Sequence, residues 1–233
     1  MAAEIENTRI ARAGEGGWIK RPERLGWRQR LLKGDPRRAF EAERRAYRRL
    51  SGRALPFPDI IAEGQDYFVL SDAGPTLHDI LHKHGADSPL FLGAVRDAAR
   101  ALALLHASGI SHGRPALRDI CWRDGQAMFI DLERAARRRN GPKGHALDLL
   151  IFFYNLLSHV APEAQAVRQA RAAYLGAGGG AIWDRAERLV ARLWPLAPAL
   201  RRLGSALSHK RDFRAIGPIF DLFTPGYEPQ LAS

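Results

Sequence analysis

The chain of 233 residues is 46% hydrophobic and 26% charged, an ordinary globular balance that excludes wholesale disorder, a collagen-like repeat and a coiled coil. Its 36 Lys and Arg against 25 Asp and Glu leave +11, a surface that attracts polyanions such as nucleotides, phosphorylated lipids or nucleic acid without choosing among them. The lone Cys121 excludes an internal disulfide, and the first 20 residues hold no continuous apolar segment, so no secretory signal is expected and a reducing, cytoplasmic compartment is.

Taken in chain order, Thr8 to Ala13 alternates, Gly14 to Gly17 tolerates positive φ, and Trp18-Ile19-Lys20 restarts the apolar pattern, which together predict a hairpin with Lys20 inside a strand. Asp35-Pro36 supplies an N-cap and a first-turn proline for a helix over Arg37 to Leu50, ended by Ser51-Gly52. Phe40, Tyr47 and Leu50 form its apolar stripe. Ile60-Ile61 and Tyr67 to Leu70 read as strands, and Asp72-Ala73-Gly74-Pro75 as a loop. Helices are then expected over roughly 76–84, 89–108, 146–160, 163–175 and 182–203, with a hairpin of Ile120 to Trp122 and Ala127 to Ile130 turning at Arg123-Asp124-Gly125. Gly176 to Gly180 is a low-complexity patch. The longest apolar run, Leu149 to Leu157, contains Asn155 and is far below the roughly 20 residues of a membrane span, so a buried helix is expected there.

The expected architecture is α+β: a reduced, β-rich N-terminal part with one helix (1–70), a connector (71–75) and a mainly helical remainder carrying the small hairpin (76–233). Leu105-His106-Ala107-Ser108-Gly109-Ile110, His112-Gly113-Arg114-Pro115-Ala116-Leu117-Arg118-Asp119-Ile120 and Phe129-Ile130-Asp131 resemble the catalytic core of the bilobal protein-kinase-like fold. Trp18-Ile19-Lys20, Gly26-Trp27 and the His112 to Ile120 stretch are most similar to bacterial lipopolysaccharide kinase-related proteins, the resemblance covering about residues 10 to 160. It implies a cytoplasmic phosphotransferase that uses ATP and Mg²⁺ on a sugar hydroxyl of the lipopolysaccharide core, such as heptose or Kdo. Lys20 and Glu43 would be the Lys–Glu ion pair at the nucleotide phosphates, and Asp72 would lie at the nucleotide-binding hinge. Asp119 and Asp131, 12 residues apart, would be the metal-binding carboxylates, and Asp148 the aspartate bracing the catalytic loop.

The family pattern H-R-D-x-x-x-x-N puts the catalytic Asp two residues after the His, where this chain has Arg114, a side chain that cannot accept a proton at neutral pH. Arg114 would either clamp a phosphate or pair with Asp131 and block transfer, so a catalytically impaired pseudokinase, acting as a nucleotide-binding or regulatory module, stands as the alternative. Gly14 to Gly17 directly precede Lys20 and read as a hairpin turn rather than a phosphate lid. The 17 positions from Asp131 to Asp148 leave no room for a long peptide-docking segment and favour a small acceptor, with Arg134, Arg137, Arg138, Arg139 and Lys143 suiting an anionic one.

Several residues have a plainer reading. Glu41 competes with Glu43 for Lys20, but Glu43 shares a helix face with Tyr47 and Leu50. His112 is expected to anchor its loop by hydrogen bonds, and Asp72 to cap the following helix. His78, His82 and His84 lack a matching ligand set for zinc. The basic pairs 37/38, 44/45 and 48/49 form a stripe that nucleic-acid binding would need, yet no nucleic-acid-binding motif accompanies it. The net charge also permits peripheral contact with an anionic membrane.

Overall fold

The structure, a computed structural model, describes residues 10–12, 16–23, 35–132, 140–207 and 209–226. It is mixed α+β, with a small antiparallel sheet preceding a mainly helical remainder. Strand β1 (Ile10–Arg12) pairs with β2 (Gly17–Lys20), the hairpin that the alternating pattern predicts, in the register Ile10 to Lys20. Thr8 and Ala13 to Glu15 lie outside the described residues. Helix α1 (Pro36–Leu50) follows, its Asp35 side chain accepting from the Arg37 amide at 2.9 Å. Strands β3 (Ile60–Gly64) and β4 (Tyr67–Ser71) complete the sheet in the order β1-β2-β4-β3, which sets Lys20 opposite Phe68 of β4.

α1 lies with Phe40, Ala46, Tyr47 and Leu50 buried, and the Phe40 and Tyr47 rings lie 5.3 and 5.9 Å from that of Phe68. Spacings of three and four residues put Glu43 on the same buried face, so the helix carries a carboxylate into the core beneath the sheet. The basic stripe on its outer side is largely neutralised: Arg37 pairs with Asp66, Arg44 with Glu41 and Arg48 with Glu63.

Beyond the connector come α2 (Leu77–His84) and α3 (Pro89–Ala107). The cap of α2 is Thr76, which forms a reciprocal capping box with Asp79, so the expected capping role of Asp72 is corrected. Phe91, Ala94, Val95, Ala98, Leu102 and Leu105 form a helical stripe that makes α3 the central helix of the core. A single 3₁₀ turn (Leu117–Asp119) leads into β5 (Ile120–Arg123), paired with β6 (Gln126–Phe129). The two-residue turn has φ 50° at Asp124 and 81° at Gly125, the left-handed conformation that a tight hairpin requires.

Helix α4 (Pro142–Leu157) starts four residues earlier than expected because Pro142 follows Gly141 at the first helical position. The apolar run Leu149 to Leu157 is helical, and Leu149, Phe152, Phe153, Leu156 and Leu157 are buried. Among the described residues no helix is long and apolar enough to cross a membrane. α5 (Gln165–Tyr174) and α6 (Gly180–Arg192) are joined through the glycine patch, where Gly178 has φ 88° and a Cβ on Gly179 would lie 2.2 Å from the Tyr174 ring. The helix expected over 182–203 is two: α6 ends at Arg192, a short turn spans Trp194–Leu196, and α7 (Ala197–Ala206) restarts. Pro195 and Pro198 explain the break, since neither donates a helical hydrogen bond and both fit first-turn positions. The chain continues through α8 (Arg211–Arg214) and α9 (Ile216–Leu222), which packs on α4 and α7.

Candidate active site

Lys20 sits at the end of β2 and Glu43 at mid-length in α1, and the Lys20 ammonium donates to Glu43 Oε1. Both side chains are nearly inaccessible, at 12% and 4% exposure, so the charges compensate each other in a low-dielectric setting. Glu41 instead engages Arg44, at 2.7 Å. Tyr47, one turn beyond Glu43, places its ring centroid 5.9 Å from Lys20 Nζ and is wholly buried, its hydroxyl without a well-formed hydrogen bond among the described residues. Burial first, then the charge of Glu43, push the Tyr47 hydroxyl well above its usual pKa, and the Asp131 backbone and carboxylate also act on it. Tyr47 thus brings the Lys20–Glu43 pair and Asp131 into one neighbourhood.

The segment from Ser111 to Asp119 is held from below by α4. Asp148 accepts from the His112 amide at 2.5 Å and from the Gly113 amide at 2.8 Å, two charge-assisted bonds that fix the turn before Arg114. His112 contacts the Ile130 carbonyl at 2.8 Å through Nε2 and receives the Arg114 amide on Nδ1 at 3.3 Å, the anchoring role expected of it. Burial lowers its pKa, so a neutral ring donating from Nε2 satisfies both contacts. Asn155, the polar interruption of the apolar run, accepts from the Leu117 amide at 2.8 Å. Asn140 accepts from the Ser111 amide at 3.0 Å, and the Ser111 hydroxyl meets His145 Nδ1 at 2.8 Å. His145 stacks on His106 at 4.7 Å, and His106 in turn reaches the Tyr174 hydroxyl at 2.8 Å. Asp148 was expected from the resemblance and His106 lies in its motif; Asn140, Asn155 and Tyr174 lie outside it, and the one signal among them was a polar residue, Asn155, in an apolar helical face.

Arg114, Asp119 and Asp131 converge. Arg114 Nε lies 3.2 Å from Asp119 Oδ2 and Arg114 Nη2 lies 3.0 Å from Asp131 Oδ2, so one guanidinium bridges both carboxylates. The Asp119 contact has ion-pair distance without hydrogen-bond alignment, and Asp119 Oδ2 and Asp131 Oδ1 are both buried with no hydrogen-bond partner among the described residues. Burial pushes Asp119 up to about 6, with Arg114 opposing and Asp131 adding to the rise. Asp131 also has φ +66°, an uncommon left-handed backbone for a residue other than glycine. The hairpin couples the pair, because the Ile130 amide donates to the Asp119 carbonyl at 2.8 Å.

Asp72 belongs to the connector between sheet and helices. Its Oδ1 accepts from the Gly74 amide at 3.0 Å and from Trp18 Nε1 at 3.3 Å, while Oδ2 accepts from Arg123 at 2.9 Å. Burial alone would raise its pKa, but the Gly74 amide, Arg123 and Trp18 outweigh it and the net direction is down. Gly26, Trp27, Arg134, Arg137, Arg138 and Arg139 lie outside the described residues; Lys143 is in the first turn of α4. His78 and His82 are neighbours on α2 with ring centroids 4.4 Å apart, and no cluster of metal-ligating side chains occurs among the described residues.

No protein-family model matches the chain. Over 143 residues, 61% of this chain and 59% of the relative, it is 34% identical to an uncharacterized protein of Haemophilus influenzae. Over 126 residues, 54% of this chain and 24% of the relative, it is 29% identical to a probable bifunctional tRNA threonylcarbamoyladenosine biosynthesis protein of Natronomonas pharaonis. The chain thus spans about three-fifths of the length of the first of these curated relatives and about a quarter of the second.

Proposed function

We propose that this chain is a phosphotransferase with a bilobal, protein-kinase-like arrangement, transferring the γ-phosphoryl group of ATP to a hydroxyl of a small anionic acceptor. A lipopolysaccharide-core sugar is the acceptor class implied by the motif resemblance. The observation that carries the reading is the pair of buried carboxylate oxygens Asp119 Oδ2, held by Arg114 in an ion pair alone, and Asp131 Oδ1, which has no hydrogen-bond partner among the described residues, near the Lys20–Glu43 pair. Two hard oxygen donors from carboxylates suit Mg²⁺, so Asp119 and Asp131 fit the role of its ligands. Bound there, Mg²⁺ would supply neutralisation of phosphate charge. Lys20, oriented by Glu43, directs its positive charge to the phosphates. Arg114 stays protonated at neutral pH, so its contribution is to orient and neutralise the transferred group rather than to accept a proton. Phosphoryl transfer depends mainly on such positioning: the acceptor oxygen bonds to the γ-phosphorus as the bond to the departing ADP breaks, and with a cation in place of the family's aspartate the hydroxyl proton would leave to water or to an oxygen of the transferred group. The H. influenzae relative carries no functional name, and the tRNA-biosynthesis name of the N. pharaonis one belongs to a protein about four times the matched length; neither bears on the acceptor.

A second reading, the pseudokinase, is favoured by one observation: in this conformation Arg114 already occupies both carboxylates. Thermal unfolding with Mg-ATP, together with ATP turnover, separates the two. Saturation at about 100 times Kd adds about 2.7 kcal/mol to the native state, or roughly 5–11 °C at about 2–4 °C per kcal/mol. The expected result is such a shift, lost in Asp131→Asn, with turnover lost in Arg114→Asp. A gain of turnover in Arg114→Asp would assign the chain to the second reading, and no shift at millimolar Mg-ATP would refute both.

A further inference from the structure

Two clefts of similar size are lined by arginines, and they differ in what answers those arginines. The first, about 460 Å³ between α1 and the β3–β4 turn, holds Arg37, Arg44 and Arg48 together with Glu41 and Asp66, and each guanidinium has a carboxylate of its own. The second, about 440 Å³, lies between α3 and the end of α5 with its glycine patch. Arg96 and Arg100 form one wall, and Gln169, Ala172, Gly176 and Ala177 the other. No acidic side chain is among the described residues that line it. Its volume falls in the range of small-molecule sites, about 300–1,000 Å³.

Arg96 and Arg100 are four residues apart on α3 and so share a helix face, with Cβ atoms about 5–6 Å apart. Arg96 Nε donates to Asp97 Oδ1 at 3.3 Å and Arg100 Nη1 donates to the same oxygen at 3.5 Å. The other oxygen of Asp97, a buried residue, accepts from Trp122 Nε1 at 3.0 Å. Two cations therefore share one carboxylate, and one positive charge is left over. A guanidinium carries five N–H donors, and among the described residues each of these places one on Asp97, so most are free for a ligand. Asp97 thus orients two half-exposed arginines on the cleft wall without neutralising both. Across from them the Gln169 carboxamide adds a further polar group, and a Cβ on Gly176 would meet nothing within 4 Å, so the floor of the cleft is open.

We infer that this cleft is a second binding site, sharing no lining residue with Arg114, Asp119 and Asp131, and that it takes a small phosphate monoester. A planar carboxylate is satisfied by one guanidinium fork; two forks on one helix face suit a tetrahedral group that offers oxygens to both. The volume leaves room beyond the phosphate for a short organic substituent lying along the small side chains of Ala172 and Ala177, a wall with no aromatic ring on which a nucleobase could stack.

The test is calorimetry with propyl phosphate, without nucleotide or Mg²⁺, beside butyrate, which lacks the tetrahedral head, and inorganic phosphate, which lacks the substituent. Propyl phosphate is expected to bind more tightly than inorganic phosphate and at least about tenfold more tightly than butyrate. Arg96→Gln and Arg100→Gln, at half-exposed positions, are each expected to weaken it about tenfold, the loss of one charge-assisted contact. Gly176→Glu sets a carboxylate into the open part of the cleft and is expected to abolish binding, whereas Arg114→Gln is expected to leave it unaltered. Thermal unfolding of each variant separates loss of the ligand from loss of the fold. Binding that is lost in Arg114→Gln and kept in Arg100→Gln would move the phosphate to the cleft of Asp119 and Asp131 and overturn the second site. Equal affinity for butyrate would overturn the phosphate, and no uptake of propyl phosphate at millimolar concentration would overturn the proposal outright. Tighter binding of an oligothymidylate without a terminal phosphate, lost in Arg96→Gln and Arg100→Gln, would give the cleft to a nucleic-acid strand instead.

Discussion

Replacing Lys20 by Met removes the cation from a carboxylate that has almost no access to water. Glu43 is 4% exposed and Lys20 12%, so after the change the Glu43 charge is left in the core without its ion-pair partner. Removing one member of such a pair costs about 3–5 kcal/mol, whereas an exposed pair is worth about 0–1 kcal/mol. For a chain of 233 residues, about 2–4 °C per kcal/mol makes this roughly 6–20 °C in Tm. Lys20→Met with Glu43→Gln removes both charges and is expected to recover most of that loss, because the penalty comes from a buried negative charge that has lost its cation rather than from the missing bond. Urea denaturation of wild type, both single variants and the double variant gives the coupling energy directly. A loss below about 1 kcal/mol in Lys20→Met, or a double variant no more stable than that single one, would refute the argument that the pair is buried and mutually dependent.

Three further outcomes are expected. Asn155→Ala leaves the Leu117 amide without an acceptor and is expected to cost about 1–3 kcal/mol in urea denaturation; a neutral result would mean that the amide finds another partner. Gly74→Ala forces a Cβ to 2.6 Å from the Trp122 carbonyl oxygen at φ 89°, for which a loss of about 1–3 kcal/mol is expected, and an unchanged Tm would show that the connector shifts freely. His145 is lowered to about 4, by burial first and by the charge of His106 second, from an ordinary 6.5. The unfolded chain therefore takes up the proton first, so this contribution is present above about 6.5 and is lost as pH falls through about 4, by up to about 3 kcal/mol. His145→Gln is expected to flatten that part of the stability profile; an unaltered acid limb would rule His145 out as its source.

The elements that were legible in the sequence carry their own local chemistry. Asp35-Pro36 and Ser88-Pro89 announce helix starts that tertiary contacts do not alter, and Asp124-Gly125 dictates the hairpin turn. Glu43 was distinguishable from Glu41 because helical periodicity puts one of them on the Tyr47 face. The misread stretches depend on competition between signals: the apolar periodicity of 182–203 conceals that Pro195 and Pro198 forbid continuity, and the polarity of Lys143 to His145 conceals that α4 has already begun. In the site, spacing identified Asp119, Asp131 and Arg114 but left open what Arg114 does, since contact with both carboxylates depends on where the hairpin and loop meet. Asn140, just ahead of α4, and His145 and Tyr174, on α4 and α5, brace the loop and its approach, and nothing local to them marks that task.

The Asp72 carboxylate has a consequence for motion. Arg123 and Trp18 grip its two oxygens from opposite sides of the connector, and Trp122 N donates to Pro75 O at 2.9 Å just beyond. A chain of a few residues between two packed units would ordinarily act as a loose strap. Here it is a rivet: the sheet cannot tilt away from the helices without tearing the Trp18 and Arg123 bonds together or dragging the β5–β6 hairpin along. Because that hairpin is continuous with Asp119 at one end and Asp131 at the other, tilting the sheet would carry the two carboxylates with it. The tilt of the sheet and the alignment of the two carboxylates are thereby geared to a single movement.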